Sequence, residues 1–154
     1  MTGPRDPDES LDLFTFAVGP HTYAVDVQRV DEVLPPLEVA ARSRSDALVE
    51  GSVMLRGESV PVVDLRRCLP QGEPPVPVQP RMLVCWLGRR RVAFRVDRVG
   101  AVVRVGAASL GVPPPTGELP PAVVAVSSAS AGTQFLLDLR ELLRQQSPSA
   151  PAPE

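Results

Sequence analysis

The sequence of 154 residues has no lysine, one histidine, two cysteines and few aromatic side chains. All 16 basic residues are therefore arginines, a bias that we attribute to codon usage in a GC-rich genome rather than to binding. Cys68 and Cys85 lack CxxC spacing, and with the single imidazole of His21 they match no familiar set of metal ligands. We expect no metal, no cofactor, and two reduced, buried thiols.

Long apolar runs are also missing. No basic region followed by an apolar run opens the chain, so no signal peptide is predicted. No segment approaches the roughly 20 apolar residues that a membrane span needs. The net charge of −2 gives no reason to expect nucleic acid or an anionic membrane as the main partner. We predict a soluble, cytoplasmic protein that does not insert into a membrane.

The groups that catalysis requires do not occur as a set. The nucleophile would have to be Cys68 or Cys85 and the base His21, but no motif such as GxSxG presents a nucleophile on a sharp turn. His21 falls in a predicted hairpin turn, where a solvated polar residue is ordinary. We predict that the protein is not an enzyme.

Apolar residues at a period of two predict many short strands. Leu11–Val18 and Tyr23–Val27 form a hairpin around Gly19. Asp26–Leu34 fits both helical and strand spacing, and we predict a helical turn that runs into a strand. Further strands are predicted at 48–55, 59–63, 82–86, 92–96, 99–105, 123–126 and 135–137. Short helices are predicted at 64–69 and from Leu139.

Proline-rich segments and tails divide the chain. Residues 70–80 form an extended connection between halves that look alike. Residues 1–10 and 145–154 are predicted to be disordered tails around one domain at 11–144. Many short strands without long βαβ helices predict an all-β fold, either a sandwich or a pair of barrels.

The most informative stretch is Leu55–Arg66, which reads LRGESVPVVDLR. Gly57 suits a tight turn with positive φ, and Arg56 at its tip should face outward on a rigid mount. Pro61 cannot donate a backbone hydrogen bond, so we place this strand at a sheet edge or a barrel rim. An exposed arginine on such a turn suits docking better than a core position.

From Leu13 to Leu143 the chain resembles the CheW-like family of chemotaxis coupling proteins. Four matches in order carry the resemblance: Phe16-Ala17-Val18-Gly19 with Tyr23-Ala24-Val25, then Val30-Asp31-Glu32-Val33, then Gly51 with Leu55–Arg66, and finally Val96–Val99 with Leu136–Leu143. The resemblance implies two small intertwined five-stranded SH3-like β-barrels with an apolar seam, short helices including a C-terminal one, and no catalysis.

The resemblance also implies an adaptor function. Such proteins link the cytoplasmic tip of a chemoreceptor, a methyl-accepting chemotaxis protein, to the regulatory domain of a CheA-type histidine kinase. Receptor arrays with other CheW-like proteins are implied as the setting. The kinase would meet the barrel ends, at residues that the sequence does not assign.

By the same resemblance, the receptor tip docks between the barrels at five positions: Val30, Glu32, Arg56, Val99 and Val102. From the residues alone, the valines fit either an exposed apolar strip or plain barrel core. Glu32 and Arg56 fit either docking charges or an internal surface ion pair.

Two alternatives remain open. Departures from the family pattern, such as Met54, Ala93 and Arg95, would suit a divergent protein that binds only receptor or only kinase, or one that serves surface motility or another output. Arg89–Arg91 on a small barrel would suit a nucleic-acid-binding protein, although the acidic total and the lack of interleaved aromatics oppose it. The arginine triplet otherwise reads as a solvated hairpin tip or a charged edge.

Overall fold

The structure, a computed structural model, describes residues 9–41, 48–115, 117–129 and 132–146. These residues form twelve strands and one α-helix, with short 3-10 turns between some of them. The strands are β1 Ser10–Val18, β2 His21–Asp26, β3 Val30–Leu34, β4 Ala40–Ala41, β5 Val49–Leu55, β6 Glu58–Asp64, β7 Arg81–Leu87, β8 Arg90–Val96, β9 Arg98–Gly106, β10 Leu110–Gly111, β11 Val123–Ala129 and β12 Gly132–Leu137. The helix α1 spans Leu139–Gln146.

The strands form two sheets that exchange strands. Sheet 1 has the order β10-β11-β12-β2-β1-β9, and sheet 2 has the order β3-β7-β8-β6-β5-β4. The chain makes one hairpin in sheet 1, crosses to sheet 2 for six strands, and returns to sheet 1 for the last four. Each sheet therefore combines a hairpin from one half of the chain with strands from the other half, which confirms the intertwined fold and its repeat.

The expected five-stranded barrels need one correction. Each sheet has six strands among the described residues, because β4 and β10 each add two residues of pairing at one end. The end strands of each sheet, β3 with β4 and β9 with β10, are consecutive in the chain but share no strand ladder in the described part. Both barrels are consequently open SH3-like sheets rather than closed cylinders.

Two aspartates stabilise the crossings between the sheets. At the first, Asp26 accepts a hydrogen bond of 3.0 Å from the Gln28 N–H and caps a 3-10 turn at Val27–Arg29, which confirms the predicted helical turn before a strand. At the second, the buried Asp97 accepts a hydrogen bond of 2.8 Å from the Gly19 N–H. The return to sheet 1 is thereby tied to the β1–β2 turn.

Of the two placements predicted from Pro61, a sheet edge or a barrel rim, the sheet edge is wrong, because β6 is not an end strand of sheet 2. β6 lies between β5 and β8 in the middle of sheet 2. However, β8 pairs only with Val62–Asp64, so the outer half of β6 pairs on one side only. Pro61 is tolerated there because its missing N–H faces no strand ladder.

Three apolar clusters fill the fold. The largest joins both sheets and α1 and includes Phe16, Tyr23, Phe94 and Leu142, which confirms the apolar seam. Two smaller clusters lie inside sheet 2 and inside sheet 1. Burial of this area supplies most of the stability of such a domain.

Both cysteines are free and buried, as expected. Burial raises the pKa of the Cys68 thiol to about 11 and that of the Cys85 thiol to about 12. Neither thiol is therefore ionised to a useful extent near neutral pH, and reactivity requires the thiolate.

Several predictions concern the two ends of the chain and the predicted loop after β4. Most of the tails 1–10 and 145–154 lie outside the described residues, as do residues 42–46, for which the polar sequence Arg-Ser-Arg-Ser-Asp predicts a loop. Where these tails are described, β1 begins at Ser10 and α1 continues to Gln146, so both elements are longer than predicted. No helix in the described part is long and apolar enough to cross a membrane.

The interiors of the two barrels differ at equivalent positions. Val53 faces Val60 inside sheet 2, whereas Ser127 faces Gln134 at the matching place in sheet 1. Both polar residues are buried, with 1% and 3% exposure. Within the described part of the chain, Ser127 Oγ and Gln134 Oε1 have no hydrogen-bond partner. At this one pair of positions, the interior of sheet 1 is therefore polar and that of sheet 2 is apolar.

We expect the double variant Ser127→Val, Gln134→Val to raise the free energy of unfolding by about 1–2 kcal/mol, because it removes two buried unpaired polar atoms. Thr15→Val is the matched control, since the Thr15 hydroxyl is paired with the backbone of Ala101 at 3.0 and 3.1 Å and its loss should destabilise the fold. Chemical denaturation measures both. A double variant less stable than the wild type would contradict the prediction.

Candidate functional site

The centre of the candidate site is the turn between β5 and β6. Leu55 pairs with Glu58, so Arg56 and Gly57 form a two-residue loop. Their φ angles of 49° and 80° are both positive, as the favoured hairpin turns require. Glycine takes this conformation without strain, whereas a non-glycine residue there is uncommon. The sequence-based prediction of an arginine on a tight turn is confirmed.

Arg56 forms a bidentate ion pair with Glu32. Its Nη1 lies 2.6 Å from Oε2 and its Nη2 lies 3.0 Å from Oε1. The arginine side chain is 67% exposed and the glutamate side chain 22%. The hydrogen bonds to Glu32 raise the pKa of the Arg56 guanidinium above its ordinary value, so this group stays charged. The structure thus brings together the two charged residues that sequence reasoning selected.

This ion pair spans the open side of sheet 2. Glu32 belongs to β3, the first strand in the sheet order, and Arg56 follows β5, the fifth. Strands β7, β8 and β6 separate the two in the ladder, yet the side chains meet at hydrogen-bonding distance. The pair therefore links the first and fifth strands of a curled sheet, which backbone hydrogen bonds do not join directly.

Val30 and Val99 occupy equivalent positions in the two exchanged strands. Val30 pairs with Cys85, Val99 pairs with Phe16, and the register shifts directly after each of them. Both side chains are half-buried against the large cluster that joins the sheets. They are thus neither plain core nor a fully exposed strip.

Val102 differs from these two valines because it is 54% exposed. It pairs with Phe14 beyond an irregularity in β9, which lies at the end of sheet 1. The buried Thr15 hydroxyl fills this irregularity, and a Cβ on Gly100 would lie only 2.2 Å from Thr15 Oγ1. Gly100 is therefore needed for the close approach of the two strands that presents Val102.

The acidic end of the Leu55–Arg66 stretch has a structural role. Asp64 is buried and accepts hydrogen bonds from the Arg66 N–H at 3.0 Å and from the Arg66 side chain at 2.9 and 2.7 Å. Burial raises the pKa of Asp64, but the hydrogen bonds from Arg66 outweigh it and lower the pKa overall. The carboxylate therefore caps a 3-10 turn at 65–67 where a short helix was predicted.

Two other polar residues are more engaged than sequence reasoning predicted. Arg95, which interrupts an apolar strand, pairs with Glu50 at 3.0 Å, and Glu50 lies at an irregularity in β5. His21 is not simply a solvated turn residue, since its ring makes edge contacts with Tyr23 and Phe135. The ion pair of Arg95 and the ring contacts of His21 are both structural.

Sequence reasoning missed the role of Arg91, which it assigned with Arg89 and Arg90 to a solvated hairpin tip or a charged edge. Arg89 and Arg90 are exposed as predicted, but the Arg91 side chain is only 11% exposed. Alternation along β8 contained the signal, because Arg91 shares a strand face with Ala93, which lies inside sheet 2. The basic triplet is therefore not a uniform cationic patch for nucleic acid.

A family model described as the CheW-like domain matches residues 12–147. The chain belongs to the CheW-like family. A chemotaxis protein CheW from Treponema pallidum (strain Nichols) is 33% identical over 60 residues, which are 39% of this chain and 35% of that protein. The chain thus matches only about a third of the length of this curated relative.

The crystal structure of the scaffolding protein TtCheW from Thermoanaerobacter tengcongensis has the same fold. It superposes with a TM-score of 0.77 over 87% of this chain and 92% of that chain, at 21% sequence identity. CheW-like proteins are non-enzymatic scaffolds of chemotaxis signalling, so the prediction that this protein is not an enzyme is confirmed. These similarities do not favour the alternative of a nucleic-acid-binding protein.

Proposed function

We propose that this CheW-like protein couples chemoreceptors to a CheA-type histidine kinase. It binds the cytoplasmic tip of a methyl-accepting chemotaxis protein and the regulatory domain of the kinase, and it works on the cytoplasmic side within receptor arrays. Family membership supports the scaffold role. The finer assignment of partners rests on the surface described above.

The receptor tip docks on the surface that carries Val30, Glu32, Arg56, Val99 and Val102. The observation that supports this most directly is the ion pair between Glu32 of β3 and the exposed Arg56, which lies on a rigid two-residue turn. Half-buried valines at the junction of the sheets supply an apolar contact for an amphipathic helical hairpin. The two charges then fix the register and choice of partner more than they add affinity.

Co-purification tests both contacts. We expect the full chain to be retained by an immobilised receptor-tip fragment, by the immobilised kinase regulatory domain, and by both together without competition. The receptor fragments come from chemoreceptors of the same genome, and beads without bait are the control. Retention by only one partner would identify a one-partner variant, and retention by neither would refute the proposal.

A further inference from the structure

Beside the Arg56–Glu32 pair lies a second charged connection, centred on Arg91 of β8. Arg91 Nη1 lies 3.3 Å from Asp31 Oδ2, and Arg91 Nε lies 3.1 Å from Glu58 Oε1. Arg91 Nη2 contacts the same Glu58 oxygen. Its guanidinium also lies over the ring of Trp86, 5.7 Å from the centroid. One side chain therefore holds an aromatic ring and two carboxylates.

The position of these carboxylates in the chain connects Arg91 with the candidate site. Asp31 directly precedes Glu32 in β3, and Glu58 follows the Arg56–Gly57 turn. β3 and the β5–β6 hairpin are not neighbours in sheet 2. Arg91 bridges them from β8, one of the two strands between, so it restrains both segments that carry the exposed ion pair.

The two arginines differ in exposure, and this decides their roles. Arg56 is 67% exposed and is free to meet a partner, whereas Arg91 is 11% exposed where it contacts Trp86, Asp31 and Glu58. A guanidinium with little access to solvent cannot be a main contact. Because it is planar and has several fixed donors, it is well suited to holding two carboxylates in a defined geometry.

We infer that Arg91 is a positioning residue for the receptor surface: by clamping Asp31 and Glu58 it sets the spacing between Glu32 and Arg56 that the receptor tip reads. This inference rests on the proposed function. It does not require Arg91 to touch the receptor. The adjacent Arg90, which is exposed and has no carboxylate partner among the described residues, lacks this role.

The clamp can first be tested without any partner. Trp86 is the single tryptophan of the chain, so its fluorescence reports on the cation stacked over it. We expect Arg91→Ala to shift the Trp86 emission and Arg90→Ala to leave it unchanged. An unchanged spectrum for Arg91→Ala would overturn the inference before any binding is measured.

Binding of the receptor tip then tests whether Arg91 positions Glu32 and Arg56. With the receptor-tip fragment as probe, we expect Arg91→Ala to raise the Kd about fivefold to tenfold. Arg90→Ala should change the Kd by less than about twofold. In an Arg56→Ala background, Arg91→Ala should have little further effect, because it acts through the pair that is already broken. Additive losses would overturn the inference, as would wild-type affinity in Arg91→Ala.

Two measurements distinguish a loss of positioning from a general loss of stability. Thermal midpoints of all variants are compared, and Arg91→Lys provides a variant that keeps the charge but loses the planar fork. Partial recovery of binding by Arg91→Lys at an unchanged midpoint supports positioning, whereas a binding loss that simply follows the midpoint overturns it. A wild-type protein that does not bind the fragment refutes the proposed function, while the fluorescence result on the clamp still stands.

Discussion

Arg56→Glu should weaken binding of the receptor tip at least about 30-fold, because a like charge at the contact both repels Glu32 and removes the cation that the partner meets. The new carboxylate would also face Asp31, whose charge acts on Arg56 in the native protein. Stability should hardly change, since the Arg56 side chain is 67% exposed and an exposed ion pair adds little. Titration calorimetry and thermal melts of the same samples measure both.

A matched control for this prediction is Arg144→Glu. Arg144 is 64% exposed and forms a comparable pair with Glu141 within α1, which carries none of the five proposed receptor-binding residues. It should leave receptor binding unchanged. The charge swap Glu32→Arg with Arg56→Glu is more discriminating, because it restores the pair while exchanging its ends. Full recovery of binding by the swap would show that the receptor does not read these charges, contrary to the proposal.

Gly51→Ala should lower the free energy of unfolding by about 3 kcal/mol, the upper range for overpacking a tight contact. A Cβ at this position would lie 2.2 Å from the Ala40 carbonyl oxygen and 2.6 Å from Val39 Cγ1. Gly51 pairs with Ala41, so relief of the clash requires β4 to leave β5. Chemical denaturation should show the loss directly.

Gly106→Ala is the control for this substitution. No heavy atom lies within 4 Å of its added Cβ, and its φ of −76° suits any residue. The stability of Gly106→Ala should therefore match the wild type. If Gly51→Ala were equally neutral, the close packing of β4 on β5 would not be required for the fold, and Gly51 would not be an obligatory part of the motif.

Features governed by neighbours in the chain could be predicted well. The β1–β2 hairpin, the Arg56–Gly57 turn, the helical turn before β3 and the C-terminal helix all depend on local alternation, turn residues or capping. Both cysteines were predicted as buried for the same reason, since their neighbours are apolar at the spacing of the element. Local patterns are informative when the physical cause is also local.

Features that depend on distant strands could not be predicted from such patterns. Pro61 predicted a sheet edge or a barrel rim, but β8 from the other half of the chain pairs with the inner half of β6 and leaves its outer half paired to β5 alone. The two-residue strands β4 and β10 are too short to show a period. Arg91 appeared to belong to a basic tip, because its carboxylate partners lie 60 and 33 residues away in the chain.

The order of apolar and turn residues alone determined that this chain forms short strands, a rigid arginine-bearing turn and an all-β domain. Only the tertiary structure decided which strands exchange between the sheets, that Glu32 meets Arg56, and that Val30 and Val99 occupy equivalent positions at the junction. The physical reason is that side-chain periodicity reports which face of a strand is buried, whereas strand order and ion pairing follow from long-range closure of the sheets.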